Sequence, residues 1–299
     1  MRTAESVVAA LRARGELWDP APGLVGLRGN VLALFKRLEH EVALLAQLDA
    51  AEEWLAPPTL SLRTLERAHY FESFPFWLTA VSHLPDDEET LEQVATGKTA
   101  ARSALRTTDV ALPPALCYHV YERLAGRRLT TTRLITLNGT CWRHERAHLT
   151  PLERQWAFTM REVVCLGAAE DVEDFRQRAM RAAGSLASRL DLDAGFLVAT
   201  DPFFAPTARG KALLQRVKGL KHELALPIGG ERSTAAASFN NHEQFFGEAF
   251  GITLESGEAA SSGCVAFGLE RWLLAFLVAH GIDRVAWPSL DPTYEETSA

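Results

Sequence analysis

The sequence predicts an α+β fold, an antiparallel sheet flanked by helices, and two observations carry that expectation. Short strand-like runs at 115–123, 129–136 and 139–144 follow one another across glycine-containing turns. Helical patterns stand before and after these runs instead of alternating with them one to one, as a doubly wound parallel sheet would require.

Taken in order, residues 1–29 form an N-terminal extension with a short amphipathic helix carrying Arg12 and Arg14, unlike a signal peptide. Residues 30–49 repeat apolar side chains three and four positions apart, the spacing of a long helix with one buried face. Trp54-Leu55-Ala56-Pro57-Pro58 closes a short strand, where proline suits an edge or an end. Residues 84–103, with Pro85-Asp86-Asp87-Glu88-Glu89, are charged enough for a solvated loop or surface helix. After the three strand-like runs, residues 171–190 predict a helix whose acidic first turn and later arginines complement its dipole. A basic helix is expected over 208–218, and a last helix over 268–280 that stops at Gly281. Internal repeats and low-complexity segments are absent.

With 299 residues, 47% of them hydrophobic, the chain can bury a large core as a single domain spanning 1–299. A net charge of −7 is the wrong sign for wrapping a polyanion such as tRNA. The longest apolar run, Trp272 to Ala279, is eight residues, far short of a membrane span. The four cysteines form no Cys-x-x-Cys pairing, which fits thiols in a reducing cytoplasm.

The chemistry concentrates in three places. Arg143-His144-Glu145 reads as the end of a strand, Phe158 and Glu162 as its return, and Gly268-Leu269-Glu270-Arg271 as the opening of a helix. An arginine offers a phosphate a planar fork of donors where lysine offers a point charge. An aromatic ring four residues before an acid can supply adenine with a flat apolar face. Other phosphate devices are missing: there is no Gly-x-x-x-x-Gly-Lys-[Ser/Thr], and no Gly-x-Gly-x-x-Gly follows a strand. His119, His144, His148, His222 and His242 form no His-Glu-x-x-His, and Ser233 and Ser238 lack a nucleophile elbow.

Residues 30–285 resemble the class II aminoacyl-tRNA synthetase core, within it the seryl branch. Thr140-Cys141-Trp142-Arg143-His144-Glu145 and Gln155-Trp156-Ala157-Phe158-Thr159-Met160-Arg161-Glu162 look like its second motif, and Gly263 to Arg271 like its third. Lys221-His222-Glu223-Leu224 and Ala237-Ser238-Phe239-Asn240 sit where that branch has its central strand and a Ser-x-Ser-Asn turn. The match is strongest to a truncated group, the amino acid:[carrier protein] ligases. These are similar to zinc-dependent archaeal seryl-tRNA synthetases but lack a tRNA-binding domain.

The resemblance implies a role for each matching position. Arg143 would clamp the substrate carboxylate and the α-phosphate of ATP, and Glu145 would meet the adenine amino group. Phe158 would stack on adenine, with Arg271 over its other face and reaching the γ-phosphate. Cys117, where the seryl branch carries a Thr-x-Glu, Glu162 at the end of the return strand and Cys264 at the opening of the third motif would hold one Zn²⁺, with a fourth position for the substrate α-amine. Cys141 and Cys165 are expected to be packed thiols. Thr234-Ala235-Ala236-Ala237 stands where the seryl pattern has its Mg²⁺-binding glutamate, which leaves Glu223, Ser238 and Asn240 as substitutes.

The helix–strand–proline run implies a homodimer interface. The first 29 residues are too short for a tRNA-gripping coiled-coil arm, so the implied acceptor is the phosphopantetheine thiol of a carrier protein. Arg176, Arg178 and Arg181, or Lys211, Arg216 and Lys218, would dock it. Tyr118, Met160 and Phe239 would wall a pocket for glycine or alanine. Two alternatives are a minimal seryl-tRNA synthetase and a non-catalytic paralogue serving as a binding or regulatory subunit.

Overall fold

Pairing between distant segments organises this chain. The computed structural model describes residues 2–48, 50–145, 148–204 and 209–288. Its main sheet contains β1 (Glu52–Trp54), β2 (Arg133–Trp142), β3 (Ala157–Gly167), β4 (Gly195–Val198), β5 (Lys221–Pro227), β6 (Ser233–Asn241) and β7 (Ser261–Gly268). They lie in the order β4-β5-β6-β7-β3-β2-β1. All neighbours run antiparallel except β1, which pairs parallel to β2 at the edge.

One face of the sheet is covered by α1 (Ala4–Ala13), α2 (Gly29–Leu48), α4 (Ala169–Arg189) and α5 (Leu269–His280), around a core that includes Leu38, Phe175, Phe239 and Trp272. Helix α5 is apolar on nearly every side, with Leu269 and Trp272 to Leu277 buried, as a helix central to a core must be. The other face packs against α3 (Cys117–Arg123) and the helix Phe245–Phe250, with Tyr121, Leu137 and Phe250 buried between. A small sheet of Leu60–Ser61, Arg106–Ala111 and Ala80–His83 borders that side.

Side chains alternate across a strand, so register decides what meets on each face. Glu223 pairs with Ser238, Ser238 with Ala266 and Ala266 with Glu162, a row crossing four strands. The next row on the same face is Lys221, Asn240, Cys264 and Val164. Arg161 points the opposite way. It reaches Glu39 on α2 at 2.6 Å and Glu53 on β1 at 3.1 Å, tying the edge strand to the helix layer.

The helices expected over 30–49, 171–190, 208–218 and 268–280 fall at Gly29–Leu48, Ala169–Arg189, Arg209–Val217 and Leu269–His280, while residues 49 and 208 lie outside the described residues. The charged stretch carries the surface helices Glu88–Ala95 and Ala101–Ala104. Three expectations change. Residues 115–123 hold helix α3, because buried Cys117, Tyr118, Val120, Tyr121 and Leu124 recur at helical spacing after Pro113 and Pro114. The runs at 129–136 and 139–144 are mostly one strand, β2. Gly139 does not break it, since a Cβ there would lie only 3.3 Å from Leu116 and the close approach explains the glycine. Arg143-His144-Glu145 therefore lies just past the strand, and Glu162 sits in the middle of β3 rather than at its end.

Residues 2–28 are built into the fold. Helix α1 is capped by Thr3 and Ser6, and the Ala4 N–H donates to the Ile228 carbonyl at 3.0 Å. Among the described residues, no helix is long and apolar enough to cross a membrane. Trp272 is fully buried and donates its indole N–H to the Ala236 carbonyl at 3.1 Å, pinning α5 to β6. Trp272→Ala is expected to cost about 3–5 kcal/mol in urea denaturation. A loss below about 1 kcal/mol would mean that α5 does not anchor this core.

Candidate active site

Burial sets the character of the first half of the site. Cys117 opens α3, Glu162 lies on β3 and Cys264 on β7; all three are buried, and one ligand atom from each lies within 4.8 Å of the others. The Cys117 backbone N–H donates to Glu162 Oε2 at 2.6 Å. Asn240 Nδ2 approaches Cys264 Sγ at 3.5 Å, and His242 Nε2 lies 3.8 Å from the same sulfur. The other ring nitrogen of His242 faces Tyr121 Oη at 3.2 Å and Ser262 Oγ at 3.4 Å.

Three acidic groups packed this closely cannot all ionise without a cation. Burial pushes the Glu162 carboxyl up to about 8, with the Cys264 charge adding to it and the Cys117 N–H and Arg143 opposing it. The Cys117 thiol is raised by its hydrogen bond to Cys264, by burial and by Glu162. Cys264 is held low by that same bond from Cys117, against burial, with help from His242 and Asn240. Two sulfurs and a carboxylate, charged only at a cost in the absence of a divalent ion, are a donor set that fits zinc and leaves it a further position.

The second half is positive. The Arg143 guanidinium lies 4.7 Å from the centre of the Trp77 ring and 5.3 Å from that of Phe158, and its Nε donates to the Pro114 carbonyl at 3.0 Å. Arg271, in the first turn of α5, donates to the carbonyls of Glu153 and Ala235, each at 2.8 Å. Its pKa is lowered by burial and then by the charges of Arg143 and Arg154. Two arginines that repel one another yet are held by carbonyls and aromatic faces make a receptor for a polyanion. Glu145 contributes its carbonyl to the Trp156 indole N–H at 3.0 Å, and its carboxylate stands 3.7 Å from Arg154.

The remaining candidates divide between the two halves. Asn240 donates to Ser238 Oγ at 3.2 Å, so both face the sulfur cluster. Glu223 lies 3.1 Å from Lys221 Nζ, which also meets Asp201 at 2.6 Å. Sequence reasoning missed several groups here. Lys221 is buried two residues before Glu223 on β5 and His242 follows directly on β6, so a strand period of two counted back from Glu223 and on past Asn240 could have found them. Asp201 sits in a loop with no periodic signal. Glu270 accepts the Thr159 N–H on both carboxylate oxygens at 2.8 and 2.9 Å, and burial pushes it up to about 7.

Two expectations are corrected. Phe239 packs in the helix-covered core, since it lies between Ser238 and Asn240 on a strand and must point away from them. Met160 and Tyr118 stay on the site's side of the sheet, Tyr118 edge-on to Tyr70 at 5.9 Å. Arg176 is no docking residue; it is buried, donating to the Gly219 carbonyl at 2.6 Å and pairing with Glu173 at 2.8 Å.

No family model matches the chain. It is 36% identical over 266 residues to amino acid–[acyl-carrier-protein] ligase 1 of Bradyrhizobium diazoefficiens, covering 86% of this chain and 81% of that protein. Ligase 2 of the same organism is 35% identical over 238 residues, covering 78% and 71%. A type-2 serine–tRNA ligase of Methanopyrus kandleri is 28% identical over 263 residues, and the chain spans 49% of its length. Among solved structures, M. kandleri SerRS in complex with A. aeolicus tRNASec superposes with a TM-score of 0.85 at 24% identity, over 97% of this chain and 60% of that one. Giardia lamblia prolyl-tRNA synthetase in complex with prolyl-adenylate gives 0.70 at 16% identity, over 93% and 53%. The shared fold is that of the class II aminoacyl-tRNA synthetases.

Glu162 gives the metal-free protein a pH signature. Its folded value, about 8, lies above the ordinary 4.5, so the folded state keeps a proton that the unfolded chain releases. Stability is then full below 4.5 and lost as pH rises towards 8. Chelator-treated protein should be less stable at high than at low pH across this window, by about 2–5 kcal/mol. Glu162→Gln should flatten most of that slope, with Glu270 supplying a remainder of the same sign. An unchanged slope in denaturation midpoints would exclude Glu162 as its source.

Proposed function

Because the chain belongs to the amino acid–[acyl-carrier-protein] ligases, we propose that it activates a small amino acid with ATP and transfers it to the phosphopantetheine thiol of a carrier protein. The observation that carries this reading is a buried Cys–Glu–Cys cluster within the electrostatic reach of Arg143, which in turn repels Arg271 at the start of α5. In the first step a carboxylate oxygen of the amino acid attacks the α-phosphorus. The bond to the bridging oxygen breaks, and pyrophosphate leaves. In the second, the carrier sulfur attacks the acyl carbon of the aminoacyl-adenylate, the bond to AMP breaks, and the thiol proton passes to solvent.

Arg143 sits to bridge the substrate carboxylate and the α-phosphate, where negative charge accumulates as the new bond forms. Arg271 meets the far phosphates, and preorganised donors of this kind are worth most in a site that excludes water. Phe158 offers adenine a face and Glu145 an acceptor for its amino group. Mg²⁺ accompanies ATP, and Glu223, whose charge bears on Arg271, is the carboxylate best disposed to meet it, with Asn240 directed at Cys264 Sγ and at Ser238 Oγ. A zinc ion held by Cys117, Glu162 and Cys264 would supply a Lewis-acid position for the substrate α-amine. Tyr118 and Met160 crowd that region, which favours glycine or alanine.

Carrier docking falls to the helix Arg209–Val217. Its Leu213, Leu214 and Val217 are 64, 49 and 76% exposed, between Lys211, Arg216 and Lys218. Gln215 on this helix donates to Asp201, which pairs with Lys221 on the site face, so the ridge adjoins the site mouth. Arg178 and Arg181 lie on the helix-covered face instead, beside Val163 and Phe267. An apolar ridge flanked by lysines suits a small acidic protein, and the net charge of −7 is the wrong sign for wrapping a nucleic acid. We read the protein as a cytoplasmic homodimer. Strand β1 ends the sheet beside Leu55, which is 95% exposed, and beside a cleft of about 710 Å³ lined by Trp54, Pro57 and His119.

Purified protein should hold one zinc per chain by elemental analysis. Cys264→Ser should lose the metal and lower ATP–pyrophosphate exchange by more than about 100-fold, because a neutral hydroxyl replaces a thiolate ligand. Exchange should be strongest with glycine or alanine; exchange dominated by serine, joined to tRNA charging, would favour a minimal seryl-tRNA synthetase. Leu213→Glu with Val217→Glu should cut carrier loading by about 10- to 30-fold and leave exchange unchanged. Normal loading by that double variant would exclude this helix as the docking face.

A further inference from the structure

Two like charges held close together need something to hold them, and here that support begins in the first 28 residues. Arg143 follows the end of β2, and its backbone N–H donates to the Trp156 carbonyl at 2.9 Å. The Trp156 indole N–H reaches the Glu145 carbonyl at 3.0 Å, and its ring lies 5.1 Å from that of His144. One tryptophan thus fixes the whole Arg143-His144-Glu145 segment. Trp156 is in turn held by the turn of the N-terminal hairpin, Leu17–Ala21 with Leu24–Leu27, because its own N–H donates to the Gly23 carbonyl at 2.9 Å. Gly23 has φ +75°, and a Cβ there would lie 2.8 Å from Trp156 Cγ, so only glycine lets the turn sit against the indole.

A second strap reaches the other arginine. Glu5 on α1 pairs with Arg232, Arg232 pairs with Glu153 at 2.7 Å, and the Glu153 carbonyl accepts Arg271 Nε at 2.8 Å. The origin of both straps is itself anchored. Arg2 donates to the Ala279 carbonyl at 2.5 Å, Arg28 to the Gly15 carbonyl at 2.5 Å, and the Val31 N–H donates to Glu16 at 2.9 Å.

We infer that residues 2–28 form a positioning element for nucleotide binding, in which Trp156 and Arg232 act as positioning residues that hold Arg143 and Arg271 in place before ATP arrives. The inference rests on the proposed reading of those arginines as the ATP-binding pair. Its physical content is preorganisation. Arg143 and Arg271 repel each other when no anion is present, and tethers formed by backbone carbonyls remove the cost of gathering them when the phosphates bind. An exposed ion pair contributes little to global stability, so loss of Arg232 through stability alone would leave nucleotide affinity unmoved.

Affinity for a non-hydrolysable ATP analogue, measured by calorimetry on the full-length protein with its metal content recorded, tests this. Trp156→Phe keeps an aromatic ring, though a smaller one, and removes the indole donor; Arg232→Ala cuts the outer strap. Each should weaken the analogue by about 5- to 10-fold, a fraction of the ~100-fold that a 1 Å misplacement costs. Arg232→Lys should recover most of the loss, while zinc content and melting temperature stay at wild-type values. Wild-type affinity in both variants would overturn the inference. So would a fall in affinity that tracks a joint fall in melting temperature and zinc, because that reports general loosening. Wild-type protein that binds no ATP analogue at all would instead sink the proposed reading of the arginines.

Discussion

The register between β3 and β7 is the constraint on which the site depends. Opposite Glu162 stands Ala266, and opposite Val164 stands Cys264, so acid and thiol share a face one row apart with a small side chain between. A slip of one residue would turn Glu162 towards the helix layer and bring Arg161 into the thiol pocket. The fold guards against that from the other side. Arg161 is locked to Glu39 and Glu53, and Val163 and Val265 are buried in the helix-covered core, so the hydrophobic pattern and the ion pairs select the same register.

Given that register, the site keeps charges of opposite sign close without letting them cancel. Arg143 bears electrostatically on Glu162, yet its guanidinium is placed between Trp77 and Phe158 and tied to Pro114. Glu162 is occupied by the Cys117 N–H. A buried Arg–Glu pair would leave neither an acid for the proposed metal nor a fork for the proposed phosphate. Holding them apart leaves groups of both signs under-compensated, a cost that the two large cores on either side of the sheet must offset.

How much of this was legible in the sequence follows from which signals are local. Long helices such as Gly29–Leu48 and Ala169–Arg189 declare themselves by periodicity. Helix α3 did not, because a seven-residue helix after two prolines carries too few turns to show its period, and its tyrosines and valine favour strands when read alone. The Cys–Glu–Cys cluster joins residues 45 and 102 positions apart, a spacing that suggests nothing without the resemblance. Phe239 was excluded as a pocket wall by strand alternation alone. Asp201 was beyond reach, since only the folded loop brings it to Lys221. The part played by residues 2–28 was hidden for a related reason: Gly23 and Trp156 are each ordinary until they are seen in contact.

The distribution of these groups over the fold separates two kinds of specificity. Groups proposed for adenylation lie on the sheet or at the ends of its strands, where register fixes them to one another. The groups proposed to read the acceptor, and Tyr118 of the proposed amino-acid pocket, lie on shorter elements outside the sheet, on Arg209–Val217 and on α3, while Met160 lies on β3 itself. Such elements can change sequence without disturbing the rows beneath, because the sheet's hydrogen bonds do not run through them. A common adenylating core can thus serve different acceptors. The overlay has the same shape: 97% of this chain superposes on 60% of a tRNA-bound synthetase at 24% identity, so the fold they have in common is the sheet and its helices. What these chains share is the sheet, whose register fixes one row to the next, and what can vary is mounted around it.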